Sequence, residues 1–217
     1  VRFKITETSI DRHTARCIIL VTSDAERTMN TYLGISQELI EKDVDTSLIR
    51  NSSILYLEGY LWDLENAQKA IKKSIIIAKE SHTMVAFSLS DAFCVDRFRD
   101  DFLELIKNSV DIIFANETEI KSLYKTESIN NAMVCCQQEG KIFVITLGDK
   151  GAKIITDLNT IEIKAEEVQS LVDTTGAGDL FAAGFLSEYI KSQNLELCGK
   201  KGAKLASIII QKFGARI

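Results

Sequence analysis

Four short, uninterrupted apolar runs divide the middle of the sequence, and they constrain its fold more than any other feature. They are ILYL (54–57), MVAFSL (84–89), IIFA (112–115) and IFVITL (142–147). Runs of this length without polar alternation are typical of strands that are covered on both faces of a sheet. The sequence therefore predicts a central sheet that is buried between two other layers.

Segments with helical spacing separate these runs. Residues 64–79 carry an apolar stripe, made of Leu64, Ala67, Ile71, Ile75 and Ala78. Residues 93–106 carry a similar stripe. The repeated order of strand, helix and strand predicts a three-layer α/β fold with a mostly parallel central sheet.

The two ends of the sequence differ from this middle part. Residues 1–33 contain RFKIT, ARCIILVT and RTMNTYLG without a convincing helix, which predicts a small antiparallel β flap. We expect residues 34–217 to form the α/β body of the same domain. Within it, residues 152–168 predict a β-hairpin around Asn159, and two helices should follow at 177–191 and 195–213.

Charge and hydropathy narrow the functional class. The 217 residues carry a net charge of −5, so the chain as a whole should not attract nucleic acid or an anionic membrane surface. No apolar run approaches the roughly 18 residues that a membrane helix needs. The first residues lack the pattern of a signal peptide. These features predict a cytoplasmic enzyme or binding protein.

The most informative motif is DTTGAGDLFAAGF, residues 173–185. A helix that begins near Ala177 would be apolar on nearly all sides and hence buried. Its first N–H groups would be unpaired and would attract an anion, and Gly176 and Gly178 would let a phosphate approach the main chain closely. The alternative is an ordinary helix cap at Thr175 or Gly176, with Asp179 stabilising the first turn.

Known phosphate-binding patterns do not match this motif. A P-loop requires a lysine after its second glycine, and a dinucleotide fingerprint requires a third glycine where Leu180 and Phe181 stand. An acid among anion-binding amides is useful where a neutral hydroxyl must lie beside a phosphate. Asp179 could then accept the hydroxyl proton while a phosphoryl group is transferred.

Two further motifs lie upstream and allow two interpretations each. ANETE places Asn116 and Glu119 after a buried run, where they could form a capping box or could organise Mg²⁺ at the sheet edge. VITLGDKGAKI could be a plain turn between strands. It could also place the Thr146 hydroxyl and the Gly148 backbone beside nucleotide phosphates, with Lys150 as a counter-charge.

Together and in this order, these three motifs resemble the ribokinase-like family, also called the phosphofructokinase-B (PfkB) carbohydrate kinase family. DTTGAGD is similar to its C-terminal signature, and the N-E-x-E and T-L-G-x-x-G motifs are similar to its upstream companions. DAERTMNTYLG (24–34) and LEGYLWD (57–63) are most similar to the adenosine-kinase-like branch. The resemblance implies a ribokinase-like fold with a β flap that serves as a lid.

The resemblance also implies a catalytic centre. Asp179 would be the general base that takes the proton of the acceptor hydroxyl. The amides that would bind the moving phosphoryl group are those of Gly176, Ala177 and Gly178. The residues that would line the region of the ATP phosphates and ribose are Thr146, Gly148 and Gly151, with Lys150 nearby.

Metal sites and an acceptor contact are implied in the same way. Asn116 and Glu119 would organise Mg²⁺ and its waters. Asp173 and Thr175 match positions where many members hold a monovalent cation, often potassium. Arg27, at the edge of the flap, would contact the substrate or act in the lid. Because flap sheets in this family often pair between subunits, the resemblance also implies a homodimer through the flap.

The sequence departs from the family pattern at its N-terminal side. The substrate-binding acid and the Gly-Gly motif with which members normally begin are not found here. We therefore expect an N-terminally truncated domain with an incomplete acceptor pocket.

The predicted function is that of an ATP- and Mg²⁺-dependent kinase. Its acceptor would be a hydroxymethyl group of a nucleoside, with adenosine favoured, or of a sugar. The alternative is a non-catalytic nucleotide-binding remnant or interaction protein derived from a kinase of this family, and a dinucleotide-dependent oxidoreductase is less favoured.

Overall fold

A six-stranded sheet forms the centre of the protein. A computed structural model describes residues 13–25 and 27–217. The strands of the sheet are β3 (Ile54–Glu58), β4 (Met84–Ser88), β5 (Ile112–Asn116), β6 (Ile142–Thr146), β7 (Ala152–Ile155) and β8 (Thr160–Ile163). They lie in sequence order; β3 to β6 are parallel, and β7 and β8 continue the sheet antiparallel. The mostly parallel sheet predicted from the apolar runs is confirmed.

The strand register brings polar residues together at one edge of this sheet. Glu58 at the end of β3 pairs with Ser88 at the end of β4. Asn116 at the end of β5 pairs with Thr146 at the end of β6. The carboxyl ends of the four parallel strands therefore meet along one line, which is where ligands of open α/β sheets bind.

Helices cover both faces of the sheet. They are α1 (Thr46–Arg50), α2 (Glu65–Glu80), α3 (Ala92–Asn108), α4 (Glu117–Leu123), α5 (Ile129–Gln138), α6 (Ala177–Ser192) and α7 (Leu195–Ile209). Side chains of α2 to α5 pack on one face, around Phe87 and Phe143, while α6 and α7 pack on the other, around Phe114. This is the predicted three-layer arrangement. Among the described residues, no helix has the length and apolar character needed to cross a membrane.

The predicted flap is present as a two-stranded antiparallel sheet. It consists of β1 (Arg16–Val21) and β2 (Arg27–Tyr32), with Ile19 opposite Met29. Most of its side chains are exposed to solvent. The segment RFKIT lies outside the described residues. The boundary at residue 33 and the homodimer through the flap stay predictions.

Two predicted elements end earlier than expected. Helix α7 ends at Ile209 and not at 213, because the carbonyl of Ile210 accepts hydrogen bonds from the amides of Val172 and Asp173 and leaves the helical ladder. The hairpin around Asn159 is confirmed, but β8 ends at Ile163 and not at 168. Helix α4 begins where the capping-box interpretation of Asn116 and Glu119 places a helix start, whereas α1 and α5 were not predicted.

Candidate active site

A cavity of about 510 Å³ lies at the carboxyl edge of the sheet. The ends of β3, β4, β5 and β6, the first turn of α6 and the flap strand β2 all contribute to its wall. The predicted site residues that line it are Arg27, Asn116, Glu119, Thr146, Gly148, Thr175, Gly176, Ala177, Gly178 and Asp179. Asp173, Lys150 and Gly151 do not line it. The structure thus brings most of the predicted site into one place.

Gly176 is the N-cap of helix α6 and has a left-handed backbone, with φ +79° and ψ 4°. A glycine adopts this conformation without the steric cost that other residues would have. A Cβ atom at this position would also lie 2.9 Å from the Cβ of Ala215. The tight turn before α6 therefore requires glycine. No side chain caps the N-terminus of α6 at this position.

The first turn of α6 presents two backbone amides to the cavity. The N–H of Ala177 donates to the carbonyl of Thr174 at 3.2 Å, and that of Leu180 donates to the carbonyl of Gly176 at 2.9 Å. Within the described part of the chain, the N–H groups of Gly178 and Asp179 have no hydrogen-bond partner. A Cβ on Gly178 would meet open space. Unpaired amides at the positive end of a helix form a site for an anion.

The carboxylate of Asp173 holds the loop before α6 in place. Its Oδ1 accepts from the Thr175 amide at 2.8 Å and from the Thr175 hydroxyl at 2.6 Å, and its Oδ2 accepts from the Gly214 amide at 2.9 Å. Burial acts to raise the pKa of Asp173, but these hydrogen bonds and the charge of Arg27 outweigh it, so the pKa lies below its usual value. The monovalent-cation role of Asp173 and Thr175 stays a prediction.

Arg27 connects the flap to this loop. Its guanidinium donates a short hydrogen bond to the hydroxyl of Thr174, 147 residues away in the sequence. Both residues line the cavity. The flap thus reaches over the site next to Gly176–Asp179 with its unpaired amides, a segment that we call the cradle, where an arginine could meet an anionic group.

Asn116 and Glu119 form a complete capping box at the start of α4. The amide of Glu119 donates to Asn116 Oδ1 at 2.8 Å, while the amide of Asn116 donates to Glu119 Oε2 at 3.0 Å. The Asn116 side-chain amide donates to Glu119 Oε1 at 2.6 Å. Burial raises the pKa of Glu119 to about 7, although the backbone hydrogen bond opposes the shift. The capping interpretation of this motif is therefore correct.

The same pair also fits a hydrated magnesium ion. The Glu119 carboxylate lines the cavity and is only 6% exposed, so its negative charge is poorly solvated. The described residues contain no group of three or more acidic, histidine or cysteine side chains that could enclose a metal. Mg²⁺ commonly keeps several waters and takes few protein ligands, which suits this sparse set of oxygens.

Replacing Glu119 with glutamine should weaken the pH dependence of stability. Because the folded protein retains the Glu119 proton up to about pH 7, it binds more protons than the unfolded chain above the usual pKa of 4.5. In the wild type, ionisation of Glu119 should therefore lower the free energy of unfolding as pH rises, by about 1–3 kcal/mol between about pH 5 and about pH 8. The Glu119→Gln variant should lack this contribution. Urea unfolding without Mg²⁺ measures the difference.

Glu117→Gln is the matched control for this measurement. It lies in the same helical turn, but its side chain is 38% exposed and pairs with Lys121. We expect Glu117→Gln to keep the wild-type pH dependence. If Glu119→Gln behaves in the same way as Glu117→Gln, the burial argument for Glu119 is wrong.

The turn between β6 and β7 meets the site only in part. The Thr146 hydroxyl donates to the Ala115 carbonyl at 3.4 Å and lines the cavity together with Gly148. Gly151 closes the turn, since its carbonyl accepts from the Leu147 amide at 2.8 Å. The turn places Lys150 in a neighbouring cavity of about 330 Å³ that also includes Lys153 and Lys164. Lys150 is therefore not brought to the main cavity.

Further residues that line the cavity were not predicted as site residues, among them Tyr56, Glu58, Tyr60 and Ser88. Burial and the neighbouring charge of Asp179 raise the pKa of Glu58. Burial, with help from acidic neighbours that include Asp91, raises the pKa of Tyr60 to about 12, so its hydroxyl is neutral. The available signal was position, because Glu58 directly follows an apolar run just as Asn116 does.

Solved structures share this fold at substantial sequence identity. The chain is 42% identical to an adenosine kinase from Sinorhizobium meliloti, with a TM-score of 0.91 over 94% of this chain and 63% of that one. It is 43% identical to a probable sugar kinase protein from Rhizobium etli, with a TM-score of 0.91 over 93% and 62%. The chain thus spans slightly less than two thirds of these relatives.

A more distant relative and a family model agree with these structures. An uncharacterized sugar kinase from Archaeoglobus fulgidus is 28% identical over 203 residues, which are 92% of this chain and 77% of that one. The model of the pfkB family carbohydrate kinases matches residues 1–217. The first turn of α6 and the polar ends of the parallel strands line one cavity, and the family model covers the whole chain. This chain therefore belongs to the pfkB family of carbohydrate kinases.

Proposed function

We propose that the protein transfers the γ-phosphoryl group of ATP to a hydroxymethyl group of a nucleoside or a sugar. The observation that carries this proposal is the first turn of α6. There an exposed carboxylate, Asp179, directly follows the open backbone of Gly178, and both face the cavity. An acid beside anion-binding amides suits a reaction between a neutral hydroxyl and a phosphate.

In the proposed reaction, the acceptor oxygen attacks the γ-phosphorus while its proton passes to the Asp179 carboxylate. The new bond joins the acceptor oxygen to phosphorus, and the bond between the γ-phosphorus and the bridging oxygen breaks, so that ADP leaves. The amides of Gly178 and Asp179 would stabilise the charge on the moving group. Thr146 and Gly148, which also line the cavity, would contact the remaining phosphates.

Magnesium would be held near Asn116 and Glu119 through water. When bound, it would neutralise charge on the ATP phosphates. The protein's part is to keep the Glu119 carboxylate fixed by its hydrogen bonds with Asn116 and turned to the cavity. A cation at this place would also offset the poorly solvated charge of Glu119.

Adenosine is the acceptor that we favour. The S. meliloti structure that shares 42% identity is described as an adenosine kinase. The wall of the cavity near β3 carries two tyrosines, and residue Tyr60 is 55% exposed. A flat aromatic ring beside Glu58 suits an acceptor that combines a nucleobase with ribose hydroxyls. A free sugar would use the polar groups alone.

An assay of ATP consumption against adenosine, other nucleosides, ribose and fructose tests this proposal. We expect turnover with Mg²⁺ and adenosine, and a kcat/KM for ribose that is lower by at least about tenfold, because the sugar lacks the ring contacts. A higher kcat/KM for a free sugar would replace adenosine as the acceptor. Binding of ATP without turnover on any acceptor would favour the non-catalytic alternative.

A further inference from the structure

Glu58 and Tyr60 of the cavity wall stand on either side of Gly59, where a short 3-10 turn begins. This turn, Gly59–Asp63, connects β3 to α2. In the described part of the protein, neither the Glu58 carboxylate nor the Tyr60 hydroxyl has a hydrogen-bond partner. Their positions in the cavity therefore depend on how firmly the backbone of the turn is held.

Trp62 anchors the far end of the turn. It is 1% exposed, and its indole Nε1–H donates to Asp101 Oδ2 of α3 at 3.2 Å. Its ring packs edge-on against Phe102 with 6.2 Å between centroids, and the Lys72 ammonium lies 5.6 Å from the ring centroid. The Trp62 carbonyl also accepts from the Gln68 side chain at 2.7 Å. Contacts from both α2 and α3 thus converge on one side chain.

The near end of the turn is fixed by close packing. A Cβ at Gly59 would lie 2.7 Å from the carbonyl oxygen of Leu89, which directly follows β4. Only glycine allows the two chain segments to approach so closely. The amide of Leu89 donates in turn to the Phe114 carbonyl of β5 at 3.0 Å. The turn is therefore held to the sheet at one end and to the helices at the other.

We propose that Trp62 and Asp101 are positioning residues that set the acceptor wall of the site without touching the acceptor. This inference rests on the proposed function and extends it, since it separates the determinants of acceptor affinity from those of ATP affinity. The anchor acts on Glu58 and Tyr60 through the backbone of the turn. Asn116, Thr146 and the first turn of α6 belong to other elements and make no contact with the Trp62 indole or the Asp101 carboxylate.

The test compares Asp101→Ala with Asp101→Asn. Asparagine keeps an oxygen that can accept the indole N–H, whereas alanine removes it. We expect Asp101→Ala to raise the KM and the calorimetric Kd for adenosine by about 5- to 20-fold and to leave the KM for ATP within about twofold. Asp101→Asn should stay near wild type for both ligands. Trp62 is the single tryptophan of the sequence, so its emission shows whether the indole remains buried.

Several outcomes would overturn the inference. One is an unchanged adenosine Kd in Asp101→Ala, and another is an equal loss of affinity for adenosine and ATP. Ile154→Val, a core change in the cluster on the other face of the sheet, is the control for general destabilisation and should not act on adenosine selectively. If Asp101→Ala is insoluble, Trp62→Phe removes the same hydrogen bond. Absence of wild-type turnover would count against the proposed function, while the Kd comparison would still decide the inference.

Discussion

Replacing Asp179 with asparagine should lower kcat by about two to four orders of magnitude, the range expected for a lost general base. Asparagine has nearly the same shape but cannot take up the hydroxyl proton at neutral pH. The backbone amides of Gly178 and residue 179 stay in place, so ATP should bind with an affinity close to that of wild type. Steady-state kinetics with the preferred acceptor, together with calorimetric binding of ATP, measure the two effects separately.

Asp157→Asn is the control for this experiment. Asp157 is exposed in the loop between β7 and β8 and does not line the cavity. It should leave turnover unchanged. A turnover of Asp179→Asn within about threefold of wild type is too small a loss for a general base and would remove Asp179 from that role.

Replacing Asp173 with alanine should destabilise the protein by about 3–5 kcal/mol, because three donors lose their acceptor, two of them buried and one partly buried. The donors are the amide and hydroxyl of Thr175 and the amide of Gly214. Since the pKa of Asp173 is lowered in the folded state, its contribution is present near neutral pH and is lost as pH falls into the acid range. Urea unfolding at neutral pH measures the loss.

The loop that Asp173 holds also carries Gly176 and the cradle, so the variant should lose activity as well as stability. Asp157→Ala, at an exposed position, should change the free energy of unfolding by less than about 0.5 kcal/mol. A loss in Asp173→Ala no larger than in Asp157→Ala would show that the carboxylate is not needed to fasten the loop.

Most of the sheet could be predicted from the sequence because buried strands leave a local signal. Each of the four continuous apolar runs became a strand, and the longer stripes became α2 and α3. The end of α7 could not be predicted in this way. The carbonyl of Ile210 bonds to Val172, which lies 38 residues earlier, and no pattern near residue 210 announces that contact.

The candidate site was predictable where a motif combined glycine with an acid. DTTGAGD and ANETE indicated Asp179, Asn116 and Glu119, and all three line one cavity. Glu58 and Tyr60 stand in LEGYLWD, which was matched to a family branch but not assigned to the site, and the end of β3 brings them to the cavity. Lys150 stands in a motif, but the turn carries it to a neighbouring cavity. A sequence motif shows which residues are neighbours along the chain, but it does not show into which cavity their side chains point.

The sparse packing of the flap has a consequence for the timing of ligand exchange. The described strands of the flap, β1 and β2, expose most of their side chains, so the flap should open and close more readily than the central sheet. A ligand that contacts Arg27 and Met29 would have to order this hairpin, and the entropy lost would lower its apparent affinity. The same looseness would shorten the residence time of a product, so the flap would favour rapid release over tight retention.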